Sequence, residues 1–148
     1  MIIKIKRFPS SYGLNIPSKA YAGDAGFDLR STEDVTIKRG GRARIGCGFA
    51  FELPAGYVGL LLPRSGAACR GIVLGNVVGV IDSSYRGEII MVLDNNGRAP
   101  HIVRKGDALA QLVVVQTFIG EIVEVKGLTE TSRGECGFGS SDIPNIGG

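Results

Sequence analysis

Apolar side chains recur at every second position through most of this chain, a period that suits extended strands and not helices. Over 43–53 the odd positions Ala43, Ile45, Cys47, Phe49, Phe51 and Leu53 share one face, while Arg44 and Glu52 are charged and Gly46, Gly48 and Ala50 are small. Ile3 and Ile5 alternate with Lys4 and Lys6, and Val123 and Val125 flank Glu124 in the same way. Three continuous apolar runs, 58–62, 89–93 and 112–115, read as strands buried on both faces. Turn signals at Asp34, Arg39-Gly40-Gly41, Pro54-Ala55-Gly56, Asp94-Asn95-Asn96-Gly97 and Lys105-Gly106-Asp107 cut the chain into short pieces. The 23 glycines among 148 residues agree, because Gly is costly inside helices and cheap in turns. One helical turn is expected, over 65–70. The expected fold class is all-β, a sandwich or barrel formed by residues 1–126. The 22 residues of 127–148 hold six glycines and no periodicity, and read as a flexible C-terminal tail.

Charge and cysteine usage exclude several functions. Seventeen Lys and Arg against 14 Asp and Glu leave a net charge of +3, and the basic residues are scattered rather than striped, so no nucleic-acid partner is expected. No run approaches the ~20 apolar residues of a membrane span, and MIIKIKRF lacks a long apolar signal core. The reading is therefore no membrane partner and a cytoplasmic location. Cys47, Cys69 and Cys136 are odd in number and far apart, which argues against a disulfide framework and gives no zinc spacing. Cys47 falls on an apolar face and reads as core. His101 is the only histidine, which removes zinc-deaminase, Ser-His-Asp and multi-histidine phosphohydrolase chemistry; beside Pro100 at a strand start, it reads as structural.

Five segments carry more than strands and turns require. In NVVGVIDSSYRG, 76–87, a polar turn holds Asp82 and Tyr85 after an apolar run, and a tight hairpin there offers amides, a carboxylate and a flat ring to a small planar ligand. Asp24 and Asp28 stand four apart in AGDAGFDL, 22–29. Pro63-Arg64-Ser65-Gly66 opens the predicted helical turn, where backbone N–H groups, a hydroxyl and a guanidinium make an anion cradle. Gln111 is the one polar residue in the apolar run 108–115 and needs a hydrogen-bond partner if buried. RGECGFGSS, 133–141, is Gly-rich, and its successive amides suit an anion nest. The last four each have a plainer reading: a loop, a helix start capped by Ser65, a glutamine with a structural partner, a disordered tail. Together they supply amides, serines and two arginines for phosphates, a carboxylate for water and an aromatic pair for a nucleoside.

In this order and spacing, from Ala22 to Ser141, the five segments resemble the five motifs of the trimeric dUTPases. The resemblance implies a jelly-roll-like β-barrel or sandwich of the dUTPase type, assembled as a homotrimer whose three sites are each built from several subunits. It implies hydrolysis of dUTP to dUMP and pyrophosphate with Mg²⁺, which supplies dUMP for thymidylate synthesis and keeps uracil out of DNA. Carried over residue by residue, Asp82 activates the water that attacks the α-phosphorus, and Tyr85 packs on the deoxyribose. Asn76 and the backbone of Val80, Ile81 and Asp82 bond the uracil edge, with Ile90 counted among the substrate-binding positions. Arg64, Ser65, Gly66 and Gln111 hold the phosphate chain. Asp28 acts near sugar and phosphates and reaches the metal only through water, the Mg²⁺ sitting mainly on the triphosphate. The segment 127–148 becomes a lid, with Phe138 over the uracil and Arg133, Gly139 and Ser140 on the γ-phosphate. The chain departs from the family at Ala108, where the fourth motif commonly has Arg, at Asp142, where Gly commonly follows the fifth, and at Cys136, where a small residue is usual. A dCTP deaminase of the same fold is usually longer and lacks the Ile-Asp-x-x-Tyr segment. A non-enzymatic nucleotide sensor has no need of Asp82, Tyr85, Arg64 and Arg133 together.

Overall fold

The structure is a computed structural model that describes residues 2–137. Its strands are β1 (Lys4–Arg7), β2 (Gly26–Arg30), β3 (Val35–Ile37), β4 (Arg42–Gly46), β5 (Phe49–Glu52), β6 (Tyr57–Pro63), β7 (Ile72–Leu74), β8 (Gly79–Ile81), β9 (Ile90–Asn95), β10 (His101–Val103) and β11 (Ala108–Gln116). All pair antiparallel, in the orders β2-β11-β6-β8, β4-β9-β7, β1-β5 and β10-β3. The helical turn expected over 65–70 is α1 (Ser65–Cys69). This is the all-β architecture expected from the two-residue period, jelly-roll-like as the family resemblance implies. The larger sheets share one apolar core, with Leu29, Leu61, Leu109, Ala110 and Leu112 from one and Ile45, Ile72, Leu74, Met91 and Leu93 from the other. No helix among the described residues is long and apolar enough to cross a membrane.

The run 43–53 buries Ile45, Cys47, Phe49, Phe51 and Leu53 as its alternation requires, but it is two strands. At Gly48 the backbone turns to φ +78°, where a side chain would meet Ser11 and Thr32. The chain then leaves its pairing with β9 and takes one with β1. The Cys47 thiol is core, as expected, and burial pushes its pKa up to about 11 by disfavouring the thiolate.

Three expectations are corrected. The apolar runs are buried on one face only: Leu61, Ile89, Met91, Leu93 and Leu112 are inside, whereas Val58, Leu60, Leu62, Val113 and Val115 are half-buried and Ile90 is exposed. Register places Leu60 beside Val80 and Val113, and Val58 beside Val115, so these outer side chains form one apolar stripe. The alternation at Val123 and Val125 makes no strand; the last strand ends at Gln116, and Ile122, Val123 and Val125 are exposed. Alternation selects an extended conformation only where an edge is available to pair with it. The segment 76–87 is not a tight hairpin, because β8 pairs with β6 while β9 pairs with β4 and β7. Its limbs enter different sheets.

Asn95 ties the sheets together. Fully buried, its Nδ2 donates to the carbonyls of Ile37 (2.8 Å) and Ala99 (2.9 Å), and its Oδ1 accepts from the Gly97 amide (2.9 Å). Asn95→Leu keeps the volume and orphans those three backbone groups. It is expected to lower stability by about 2–3 kcal/mol, read as a lower midpoint of urea unfolding.

Candidate active site

The register of β11 builds the first half of the site. Gln111 lies opposite Asp28 on β2 and Leu62 on β6, so Asp28 and Gln111 share the outer face of the sheet. Arg64 follows the end of β6 with extended backbone (φ −93°, ψ 138°) and occupies the N-cap position of α1 without a side-chain cap bond. Ser65 is thus the first helical residue and not the cap. Arg64 Nε is ion-paired with Asp28 Oδ1 at 2.9 Å, and its Nη1 donates to the Ala108 carbonyl at 3.2 Å. Gln111, half-buried, donates through Nε2 to the Pro63 carbonyl at 3.1 Å, a structural partner. Asp28, Arg64, Ser65, Gly66 and Gln111 line a cavity of about 470 Å³ with Ala20, Asp24, Ala25 and Gly26. Amides of a first helical turn have no partner within the helix, and beside a guanidinium they suit an oxyanion-rich ligand.

The second half lies around the turn after β8. Val80, Ile81, Asp82, Tyr85 and Ile90 line a cavity of about 330 Å³ together with Arg44, Glu88, Ile89 and Val92. The Tyr85 amide donates to the Asp82 carbonyl (3.0 Å), closing the turn, and the Tyr85 hydroxyl donates to the Glu88 carbonyl (3.0 Å). Glu88 is occupied, since its Oε1 accepts the Gly48 amide at 2.7 Å. The Asp82 side chain is exposed and, among the described residues, has no hydrogen-bond or ion-pair partner. A bare carboxylate beside a fixed ring can take a proton from water or hold it by hydrogen bond. Asn76 is exposed and does not line this cavity; after it Val77 sits at φ +61°, a costly conformation for a β-branched residue and one typical of functional turns.

The two halves share no lining residue. Ile81 pairs with Gly59, and Arg64 stands five residues further along the β6 direction, about 17 Å away at strand rise. Within one chain the carboxylate and the anion cradle stand at opposite ends of β6. Arg133 belongs to neither; its Nε donates to the Cys136 carbonyl at 3.0 Å in an exposed segment. Phe138, Gly139 and Ser140 lie outside the described residues. His101 opens β10 and borders a third cavity of about 480 Å³ with Arg30, Arg64, Arg70, Gly106, Asp107 and Ala108. Arg30, Arg44 and Glu88 were not picked out in the sequence. They occupy ordinary strand and turn positions, and only the pairing of distant segments reveals them.

The glycine after Arg86 has a specific reason. A side chain at Gly87 would run into the Tyr85 ring. Gly87→Ala is expected to displace the phenol and cost about 1–3 kcal/mol, but little in a Tyr85→Ala background. A double-mutant cycle by urea unfolding measures that coupling.

The family model described as dUTPase matches residues 13–142. A deoxyuridine 5'-triphosphate nucleotidohydrolase from Mycobacterium bovis is 48% identical over 136 residues, covering 87% of this chain and 88% of the relative. Among solved structures, the dUTPase of Staphylococcus bacteriophage 80alpha with dUpNHpp is similar at a TM-score of 0.84 and 27% identity, covering 96% of this chain and 99% of the phage protein. A mutant dUTPase from S. aureus phage phi11, described with a structural Mg(II) ion, is similar at a TM-score of 0.76 and 26% identity over 86% of this chain and 98% of its own. With a family model spanning most of its length and a relative of this identity, the chain belongs to the dUTPase family.

Proposed function

We propose that the protein hydrolyses dUTP to dUMP and pyrophosphate in a homotrimer whose sites join the Asp82 turn of one copy to the Arg64 cradle of another. The observation that carries this reading is the bare Asp82 carboxylate beside the fixed Tyr85 ring, in a chain of this family. Asp82 holds a water and accepts its proton as the oxygen attacks the α-phosphorus in line. The bond from that phosphorus to the bridging oxygen breaks, and pyrophosphate leaves. Phosphoryl transfer demands positioning and charge neutralisation more than an elaborate nucleophile. Arg64, Ser65, Gly66 and Gln111 hold the phosphates.

The backbone of Val80, Ile81 and Asp82, with Asn76 and Ile90, reads the uracil edge, and Tyr85 under the deoxyribose leaves no room for a 2′-hydroxyl. A thymine methyl overpacks such a site at roughly 1–3 kcal/mol, and cytosine presents a donor where an acceptor is needed. Residues 127–148 close as a lid, bringing Arg133, Phe138, Gly139 and Ser140 onto the substrate and excluding water.

Magnesium fits the donor set as an ion carried by substrate. Among the described residues no group of three His, Cys, Asp or Glu forms a cage, and Asp28 is already engaged by Arg64. Mg²⁺ keeps several waters and favours phosphate oxygens. Bound there, it would neutralise phosphate charge, and Asp28 would help hold it through water.

Two features support a trimer. The half-buried stripe of Val58, Leu60, Leu62, Val113 and Val115 and the exposed Phe118, Ile119, Ile122, Val123 and Leu128 are apolar surface that another copy can cover. The separation of the half-sites makes several copies necessary. The dUMP product supplies thymidylate synthesis, removal of dUTP keeps uracil out of DNA, and the protein acts in the cytoplasm.

Asp82→Asn is expected to leave dUTP binding within about threefold while lowering turnover at least about a hundredfold, read as pyrophosphate release with Mg²⁺. Near wild-type turnover removes Asp82 as the base. Co-refolding equal amounts of Asp82→Asn and Arg64→Ala chains is expected to restore about a quarter of wild-type activity, the fraction of sites in random trimers that draw both intact groups from different copies. No recovery above the two parents means that each site comes from one chain.

A further inference from the structure

We propose that Arg30 is a positioning residue of the phosphate cradle, holding Asp28 from the strand opposite Ala108. The inference rests on the dUTP reading of that cradle. Asp28 and Arg30 are two apart on β2 and project to one face of the sheet. Their partners on β11 are Gln111 and Ala108, the register shift between Ala108 and Ala110 keeping Ala108 directly across from Arg30.

Asp28 is thereby held by two guanidinium groups, one on each oxygen. Arg64 Nε contacts Oδ1 at 2.9 Å, and Arg30 Nη2 lies 3.8 Å from Oδ2. The outer ends of both arginines are tied to the same short stretch of chain. Arg30 Nη1 donates to the Gly106 carbonyl at 2.9 Å, and Arg64 Nη1 to the Ala108 carbonyl at 3.2 Å. The clamp runs from Gly106 through Arg30, Asp28 and Arg64 back to Ala108.

The small side chain at 108 is what admits Arg30. Two long cations directly opposite on one face would compete for the same ground. In this chain the cation stands on β2 instead of β11. A carboxylate inside a cradle for a triphosphate repels its ligand unless its charge is offset. Asp28 is mostly shielded, with 14% of its side chain exposed. Arg30 supplies the second half of that offset and fixes the carboxylate relative to Arg64, which itself meets the phosphates.

The test compares Arg30→Gln, Arg30→Lys and the pair Arg30→Gln with Ala108→Arg in the full chain. Arg30→Gln is expected to raise KM for dUTP about three- to fivefold with kcat within about twofold, the size of a half-exposed ion pair. The Kd of the non-hydrolysable analogue dUpNHpp is expected to rise by the same factor, and the difference to shrink in about 0.5 M salt. Arg30→Lys keeps the charge and is expected to stay within about twofold of wild type. Ala108→Arg is expected to restore KM in the Arg30→Gln background by returning the cation from the other strand. Unchanged KM and Kd in Arg30→Gln overturn the assignment, as does an equal loss in Arg30→Lys. A wild-type protein that binds dUpNHpp without turning over dUTP sinks the proposed function, and the Kd comparison alone then decides Arg30.

Discussion

Every side chain of the anion cradle takes its place from the register of β11 between β2 and β6. With Gln111 opposite both Asp28 and Leu62, the outer face of the sheet presents a carboxylate, an amide and, just past Pro63, a guanidinium in one row. A slip of one residue on either side would turn Asp28 or Gln111 inward and bring Leu29, Ala110 or Leu112 to the surface. Those three are fully buried, so the core itself forbids the slip. Packing that stabilises the sheet is therefore the same packing that aims the site. The irregularity near Leu109 shows the limit of that control. It lets Leu109 stay in the core while Ala108 remains across from Arg30.

Inside and outside follow opposite rules. Among the described residues no buried side-chain nitrogen or oxygen lacks a partner. Asn95, Ser11 and Ser31 are fully buried and bonded to backbone. On the outer face the chain leaves groups open: a bare carboxylate at Asp82, apolar side chains at Val58, Leu60 and Val113 only half covered, and Ile122 and Leu128 exposed. Unmet polar and apolar groups together on a surface are the signature of an interface.

Much of this was legible in the sequence. The two-residue period fixes the strands and the inward face, because alternation and burial have one cause. The helical turn after Pro63 and the core position of Cys47 follow from local patterns too. What local patterns do not hold is partnership. The run 43–53 reads as one strand because its period never changes, although Gly48 redirects the backbone to a new partner. NVVGVIDSSYRG reads as a hairpin because both limbs are apolar, although each limb is claimed by a different sheet. Val123 and Val125 alternate correctly and find no edge in their own chain. Arg30 was passed over for the same reason: its meaning lies in Ala108, 78 positions away and directly opposite.

The distance between the half-sites has a consequence for how such a chain works. The turn after β8 that carries Asp82 and the cradle after β6 that carries Arg64 stand near opposite ends of β6, about 17 Å apart at strand rise. If they act on one substrate, assembly brings them together, and the apolar stripe along β6 and β11 lies between them as surface another copy could cover. Contacts that stabilise the oligomer then also set the spacing between base and phosphate, so a change at Leu60 or Val113 alters catalysis without touching substrate. In the proposed assembly, a lone protomer would hold a base with no phosphorus for its water to attack and a cradle with no base beside its phosphates. Hydrolysis in the proposed arrangement would then be a property of the interface between copies.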